Sequence, residues 1–152
     1  MNQRICAVLL AASLFASCSG IKTYPDTLPK NMHVRTETSS NVRAALHIHR
    51  VDPNCLTEYQ GTVQLDKPSV EVGIPAGRMS LVAFTFSSSS FLRGSGRSVR
   101  SDTLLTARPG YTYDVRVSYL DDMYNVAIRE IDPRRSSGRE IERRSLGTCV
   151  PS

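Results

Sequence analysis

The stretch YTYDVRVSYL, residues 111–120, decides the fold class. Its odd-numbered residues are aromatic or β-branched, whereas its even-numbered residues are mostly polar. This period of two is typical of a half-buried β-strand, because successive side chains of a strand point to opposite faces of the sheet. We therefore predict a strand whose inward face carries Tyr111, Tyr113, Val115, Val117 and Tyr119.

The residues that follow predict a hairpin. Asp121 and Asp122 interrupt the pattern, and MYNVAIREI, residues 123–131, alternates again with Tyr124, Val126 and Ile128 on one face. Two alternating runs joined by a two-residue turn indicate an antiparallel β-hairpin. The turn lacks the glycine that tight hairpin turns prefer, so the sequence leaves the turn type open.

Similar runs precede this hairpin. RMSLVAFTF, residues 78–86, is apolar on both faces and predicts a central strand, while VRAALHIHRV, residues 42–51, alternates polar with apolar side chains. Further alternating runs occupy residues 56–65, 69–74 and 98–107. About seven or eight short strands with no long helical pattern between them predict an all-β protein, an antiparallel β-sandwich of the immunoglobulin-like type.

The N-terminal residues indicate export. Arg4 precedes an apolar run over residues 5–15, and this run is too short for the roughly 20 residues that a membrane-spanning helix needs. Ala16 and Ser17 are small, and Cys18 follows them. A positive start, a short apolar core and small residues before a cleavage site are typical of a secretory signal.

Residues 14–18, LFASC, resemble the lipobox of bacterial lipoproteins, with Phe15 where that pattern usually has leucine. The resemblance implies cleavage after Ser17 and a lipidated Cys18 that holds the mature protein on the membrane. An ordinary cleaved signal with a neighbouring cysteine is the alternative. Ser19 stands where proteobacterial lipoproteins kept in the inner membrane usually have aspartate, which implies an outer-membrane address facing the periplasm.

These features divide the chain into three parts. They are a signal peptide at residues 1–17, a lipidated N-terminus with a flexible tether at residues 18–32, and the β-sandwich domain at residues 33–152. The tether is assigned because its residues include two prolines and a glycine and show no apolar periodicity. Fully extended, it would reach about 45 Å at about 3.3 Å per residue.

Charge and composition narrow the classes of molecule that the protein could bind. The chain carries a formal net charge of +5 and is 40% hydrophobic, which is enough for the core of one domain. One positive charge, Arg4, leaves with the signal peptide. The remaining excess suits anionic lipid headgroups or cell-wall polymer, but it is too small and too dispersed to predict nucleic-acid binding.

The cysteines predict a disulfide. Of the four, Cys6 leaves with the signal peptide and Cys18 carries lipid, so Cys55 and Cys149 remain in an oxidising compartment. Their bond would fasten the C-terminus to the body of the domain. A catalytic or metal-binding cysteine is the alternative, but no CxxC or Cys/His spacing favours it.

Two strands are entered through a proline followed by a glycine, in GIPAGRMSLVAF, residues 73–84, and ARPGYTYDVRV, residues 107–117. With the lipobox, this feature resembles a loose group of bacterial envelope lipoproteins that carry a small transthyretin-like or PEGA-like sandwich. The resemblance covers roughly residues 63–132. It implies the fold and supplies no activity.

His47 and His49 are the candidate metal ligands. Two residues apart on a strand, they share one polar face, and a metal site would need a third ligand such as Asp52 or His33. General acid–base chemistry is a second alternative. Strand histidines with neither role are the commoner case.

The segment SSSSFLRGSGRSVRS, residues 87–101, is the candidate anion site. Backbone amides of a Gly/Ser loop and the guanidinium groups of Arg93, Arg97 and Arg100 suit a phosphate or a carboxylate. The Gly-Lys-Ser/Thr core of a P-loop is missing. A solvated connecting loop is the alternative.

No recognised catalytic motif occurs in the sequence, and none of its patterns implies a cofactor. The mixed charges of residues 132–149 indicate a solvated helical turn or a polar edge strand. The sequence therefore predicts a non-enzymatic structural or protein-interaction module whose partners are the membrane and other envelope proteins. A binding module for an anionic envelope component, through Arg93–Arg100, and a small metal- or histidine-dependent enzyme are the alternatives.

Overall fold

A computed structural model describes residues 20–88, 97–135 and 137–152. Within them the chain forms nine β-strands and one 3-10 helix, with no α-helix. The elements are β1 (Met32–Thr38), β2 (Val42–Val51), β3 (Thr57–Gln64), β4 (Ser69–Val72), β5 (Met79–Ser88), β6 (Arg97–Thr106), β7 (Thr112–Leu120), β8 (Met123–Ile131), β9 (Gly138–Glu140) and the 3-10 helix Leu146–Thr148. The all-β prediction is confirmed, with nine strands instead of seven or eight.

The strands form the two layers of a β-sandwich. One sheet has the order β4-β1-β7-β8-β9 and the other the order β3-β2-β5-β6. Neighbouring strands are antiparallel except for β1 and β7, which run parallel from Met32 opposite Tyr113 to Thr38 opposite Tyr119. The prediction of an antiparallel sandwich is corrected at this pair.

The core lies between the sheets and uses the faces that the alternation predicts, except at two tyrosines: Tyr111 precedes β7 and is half-buried, and Tyr124 on β8 is exposed. On β7, Tyr113, Val115, Val117 and Tyr119 are buried. On β2, Val42, Ala44, Leu46 and Ile48 are buried in the core, while the two histidines lie half-buried on the opposite face. A slip of one residue in either strand would exchange these faces, so the buried pattern fixes the register.

The β7–β8 hairpin has the predicted position, and the structure defines its turn. Asp121 and Asp122 have φ angles of 50° and 61°, and Leu120 pairs with Met123 across them. Two consecutive positive φ angles describe a type I′ turn, whose twist matches that of the flanking strands. Aspartate enters this left-handed region more readily than most residues, so the turn forms without glycine.

Strand β1 lies across the predicted boundary between tether and domain. Met32 and Val34 have no exposed surface. Hydrogen bonding to β4 and β7 makes β1 an inner strand of its sheet. Its sequence, MHVRTET, offers only two large apolar residues, so its position depends on partners far along the chain rather than on its own alternation.

Residues 22–31, the N-terminal segment, close one open side of the sandwich. The N–H of Tyr24 donates to the carbonyl of Thr62 on β3 (3.0 Å), and the N–H of Thr62 donates to the carbonyl of Lys22 (2.8 Å). The ring of Tyr24 is buried in the core, and its hydroxyl donates to the carbonyl of Gly73, just after β4 (2.9 Å). The segment thus connects the edge strands of the two sheets.

Two glycines permit this close approach. A Cβ on Gly61 would lie 2.5 Å from Cα of Tyr24, and a Cβ on Gly73 would lie 2.7 Å from the carbonyl oxygen of Leu28. Backbones this close leave room only for hydrogen at both positions. Residues 22–32, which their composition assigns to the tether, therefore belong to the folded domain.

Residues 141–149, the C-terminal segment, close the opposite side. After β9, the chain crosses to β6, where the N–H of Leu104 donates to the carbonyl of Arg144 (2.7 Å). Leu146 and Cys149 then cover a small apolar cluster on the outer face of the second sheet, formed by Val51, Leu81 and Leu104. The predicted disulfide is confirmed: Cys149 is bonded to Cys55, with their Cα atoms 5.9 Å apart.

Candidate functional site

His47 and His49 lie on the outer face of the β3-β2-β5-β6 sheet, as the alternation predicts. Both ring nitrogens of His47 meet a hydroxyl: Nδ1 lies 2.7 Å from Oγ1 of Thr62, and Nε2 lies 2.9 Å from Oγ1 of Thr85. The ring of His49 lies 5.2 Å from that of Tyr59, centroid to centroid. His47 is thus the middle of a hydrogen-bonded chain across three strands.

Burial lowers the pKa of both histidines, and the guanidinium group of Arg100 lowers each further. For His47 the charge of His49 acts in the same direction, whereas for His49 the carboxylate of Asp102 opposes the change. A pKa below the ordinary value of 6.5 keeps both rings neutral at pH 7.

The third ligands predicted for a metal site lie elsewhere. His33 belongs to the other sheet, where its Nδ1 is 3.2 Å from Oε1 of Glu71. Oδ1 of Asp52 accepts the N–H groups of Asn54 (2.9 Å) and Leu56 (2.8 Å), so this carboxylate shapes the β2–β3 turn. Over the described ranges, no three His, Cys, Asp or Glu residues are grouped to hold a metal ion. Neither Asp52 nor His33 therefore joins His47 and His49 in a set of metal ligands.

The arginines predicted to bind an anion lie in different settings. Arg93 is outside the described residues, as is the side chain of Arg97, whose backbone begins β6. Nε of Arg100 donates to Oδ2 of Asp102 (3.2 Å) on the face that carries the two histidines. The predicted loop over residues 87–101 includes strand at both ends, because β5 continues to Ser88 and β6 begins at Arg97.

The structure also brings together a polar cluster that the sequence analysis did not identify. The side chain of Glu130 is only 8% exposed. Its Oε2 accepts the hydroxyl of Tyr113 (3.1 Å), while its Oε1 lies 3.2 Å from a terminal nitrogen of Arg139 and 3.5 Å from one of Arg108. A carboxylate buried to this degree requires such partners, because an unpaired buried charge is costly.

A signal for this cluster was present in the alternation. Glu130 follows Val126 and Ile128 at a spacing of two, so it continues the inward face of β8. A carboxylate at a core position predicts a buried ion pair. The partners themselves come from the β6–β7 turn, from β7 and from β9, and the spacing within β8 contains no information about them.

Three arginines of this region line one cavity of about 290 Å³, which we call the arginine cavity. They are Arg108, Arg135 and Arg139, and two carboxylates, Glu130 and Asp132, line it with them. The guanidinium carbon of Arg108 lies 5.4 Å from the ring centroid of Tyr111, within cation–π range. The hydroxyl of Tyr111 in turn donates to Oδ2 of Asp132 (3.3 Å).

Cys18, the predicted lipidation site, lies outside the described residues together with the predicted signal peptide. In the ranges that the structure describes, no helix is long and apolar enough to cross a membrane. No model of a known protein family matches the sequence, and no curated protein matches it. Any function is therefore inferred from the residues of this chain.

Proposed function

We propose that this chain is a bacterial lipoprotein of the outer membrane, held at the periplasmic face by lipid on Cys18. Its β-sandwich serves as a non-enzymatic structural or protein-interaction module of the envelope. One observation carries the proposal: the lipobox-like sequence LFASC, residues 14–18, ends four residues before Lys22, which among the described residues is the first that is hydrogen-bonded to the domain.

The packing of the N-terminal segment supports a close attachment. Four residues span at most about 14 Å when fully extended, compared with about 45 Å for a free tether that continues to Met32. Lys22 lies on the edge of β3, so a lipid on Cys18 would hold this edge near the bilayer surface. Such a length suits a protein that acts on or beside its own membrane.

The environment of the histidines supports a non-enzymatic role. Both nitrogens of His47 are engaged by threonine hydroxyls, which leaves no ring lone pair free for a metal or a substrate proton. The ring of His49 packs against Tyr59, and the nearby carboxylate of Asp102 is paired with Arg100. These contacts favour a structural role for the side chains that sequence reasoning identified as catalytic candidates.

The experiment is metabolic labelling with radioactive palmitate in a Gram-negative host, followed by membrane fractionation. We expect the wild-type chain to be labelled and to sediment with the outer membrane, whereas Cys18→Ser loses both properties because the thioether requires the cysteine sulfur. Cys6→Ser is the matched control and should behave as the wild type, since Cys6 leaves with the signal peptide. Palmitate labelling of Cys18→Ser would overturn the proposal.

A further inference from the structure

The arginine cavity has more positive than negative charge. Three guanidinium groups, from Arg108, Arg135 and Arg139, face two carboxylates, from Glu130 and Asp132, which leaves an excess of one positive charge. Both Arg108 and Arg139 approach the same oxygen of Glu130. Arg135 makes no ion pair with any residue of the described ranges. The two acids therefore cannot neutralise the cavity.

The guanidinium groups also retain unused hydrogen-bond donors. A guanidinium group carries several N–H donors in a fixed plane. Arg108 and Arg139 each direct one terminal nitrogen at Glu130. These side chains are 54% exposed for Arg108 and 70% exposed for Arg139, so more than half of each is open to solvent.

The cluster is held in place before any ligand arrives. The backbone N–H of Arg108 donates to the hydroxyl of Tyr113 (2.8 Å), and this hydroxyl donates to Glu130 (3.1 Å). The guanidinium group of Arg108 is further held over the ring of Tyr111. Groups that are ordered in advance lose less entropy on binding, so their donors contribute more to affinity.

We propose that the arginine cavity binds a singly charged oxyanion, a carboxylate or a phosphodiester group, carried by an anionic molecule of the surroundings. The planar fork of a guanidinium group matches the paired oxygens of both groups. A single negative charge matches the excess charge of the cavity, and a volume of about 290 Å³ admits one such group with part of its carrier. Glu130 acts as the buried counter-charge that orients two of the arginines.

This site differs from the anion site expected at Arg93, Arg97 and Arg100, and it is independent of the lipid anchor. Arg100 lies on the outer face of the other sheet, where its Nε is paired with Asp102. The arginine cavity instead lies on the five-stranded sheet, where the β6–β7 turn meets the end of β8 and the start of β9 around Glu130. A failure of one proposal would leave the other standing.

The experiment is a titration of the purified, ¹⁵N-labelled protein followed by NMR, with sodium acetate in one arm and sodium dimethyl phosphate in the other. Sodium chloride at equal ionic strength serves as the reference. We expect saturable shifts of the amide signals of Arg108, Gly110, Tyr111 and residues 137–139 in at least one arm. Saturation with acetate alone would identify the ligand as a carboxylate, and saturation with dimethyl phosphate alone would identify it as a phosphodiester.

The decisive variant is Arg135→Gln, because this exposed side chain pairs with no described residue and its removal leaves Glu130 paired. Loss of one charge-assisted hydrogen bond should weaken binding about tenfold. Arg134→Gln is the matched control: it removes the same charge from the neighbouring residue, which does not line the cavity, and it should bind as the wild type. Circular dichroism should show equal melting temperatures for both variants.

Two results would overturn the proposal. One is the absence of saturable shifts beyond those in chloride in both arms, which would assign the arginines to a purely structural ion-pair network. The other is equal affinity of the wild type and Arg135→Gln, which would place the anion elsewhere on the surface.

Discussion

The two ends of the domain close opposite sides of the same sandwich by different means. The N-terminal segment is held by non-covalent contacts: Tyr24 is buried in the main core and bonds to both edge strands through Thr62 and Gly73. The C-terminal segment is fastened by the disulfide between Cys55 and Cys149, and much of its own surface is exposed.

The difference shows what each end contributes. The N-terminal segment depends on close fit, because a Cβ on Gly61 or Gly73 would overlap its backbone. The C-terminal segment depends on a covalent link and tolerates exposed charged residues between its contacts. We therefore expect the first to be sensitive to local substitutions, and the second to be sensitive mainly to reduction.

The largest expected effect is loss of the covalent link. The double variant Cys55→Ser, Cys149→Ser opens a loop that joins residues 94 positions apart in sequence. The chain-entropy model predicts a loss of about 4–5 kcal/mol in the free energy of unfolding. Urea denaturation would measure it, and a reductant should destabilise the wild type without affecting the variant. A loss below about 1 kcal/mol would contradict the role given to the link.

Substitution of Tyr24 should have the next largest effect. Tyr24→Ala removes a buried aromatic ring and should lower the free energy of unfolding by about 3–4 kcal/mol, whereas Tyr24→Phe removes only the hydrogen bond to Gly73 and should cost about 1 kcal/mol. Met123→Ala, at an exposed side chain of β8, is the control in the same urea experiment. Equal effects of the two alanine substitutions would mean that the N-terminal segment contributes little to the fold.

A smaller effect is expected at the glycine contact. Gly61→Ala places a methyl group against the backbone of Tyr24 and should cost about 2 kcal/mol, because the clash is with main chain rather than a movable side chain. Gly147→Ala, in the C-terminal segment, has its nearest neighbouring atom at 3.8 Å and should be close to neutral. Thermal denaturation of both variants would test this contrast. A Gly61→Ala variant as stable as the wild type would contradict it.

The smallest effect is a dependence on pH. Burial and Arg100 lower the pKa of His47 and His49 in the folded state, so the unfolded state takes up protons first as the pH falls. The stability that the folded state gains from keeping these two histidines neutral is fully present above pH 6.5. It decreases as the pH falls from there towards the lowered folded-state pKa values. His47→Gln combined with His49→Gln should flatten the slope of stability against pH.

Hydrogen exchange of the backbone amides would show which part of the domain loses stability first as the pH falls. His47 is hydrogen-bonded to Thr62, the residue on which the N-terminal segment docks, so protonation should first expose the amides of Tyr24 and Thr62. The amide of Leu104, which contacts the C-terminal segment, should exchange later. Simultaneous exposure of both ends would contradict the link between the histidine chain and the N-terminal segment.

Local patterns predicted much of the fold and little of the contacts between distant segments. The alternation in residues 123–131 matches β8 at both ends, because one face of that strand is apolar and the other polar. The composition of residues 22–31 resembles a linker, and their packing depends on Gly61 and Gly73, which lie tens of residues away. The arginine cavity similarly joins the β6–β7 turn to residues 130–139, so no spacing within one strand reveals it.

The distance between the domain and the bilayer tests the central claim most directly. Neutron reflectometry of the lipidated protein on a supported bilayer would measure the thickness of the water-filled layer between the headgroups and the protein. With residues from Lys22 onward packed on the sandwich and the lipid on Cys18, we expect a gap of no more than about 14 Å. A gap clearly above 14 Å, in the range up to the roughly 45 Å that a free tether over residues 19–32 could reach when fully extended, would contradict the account.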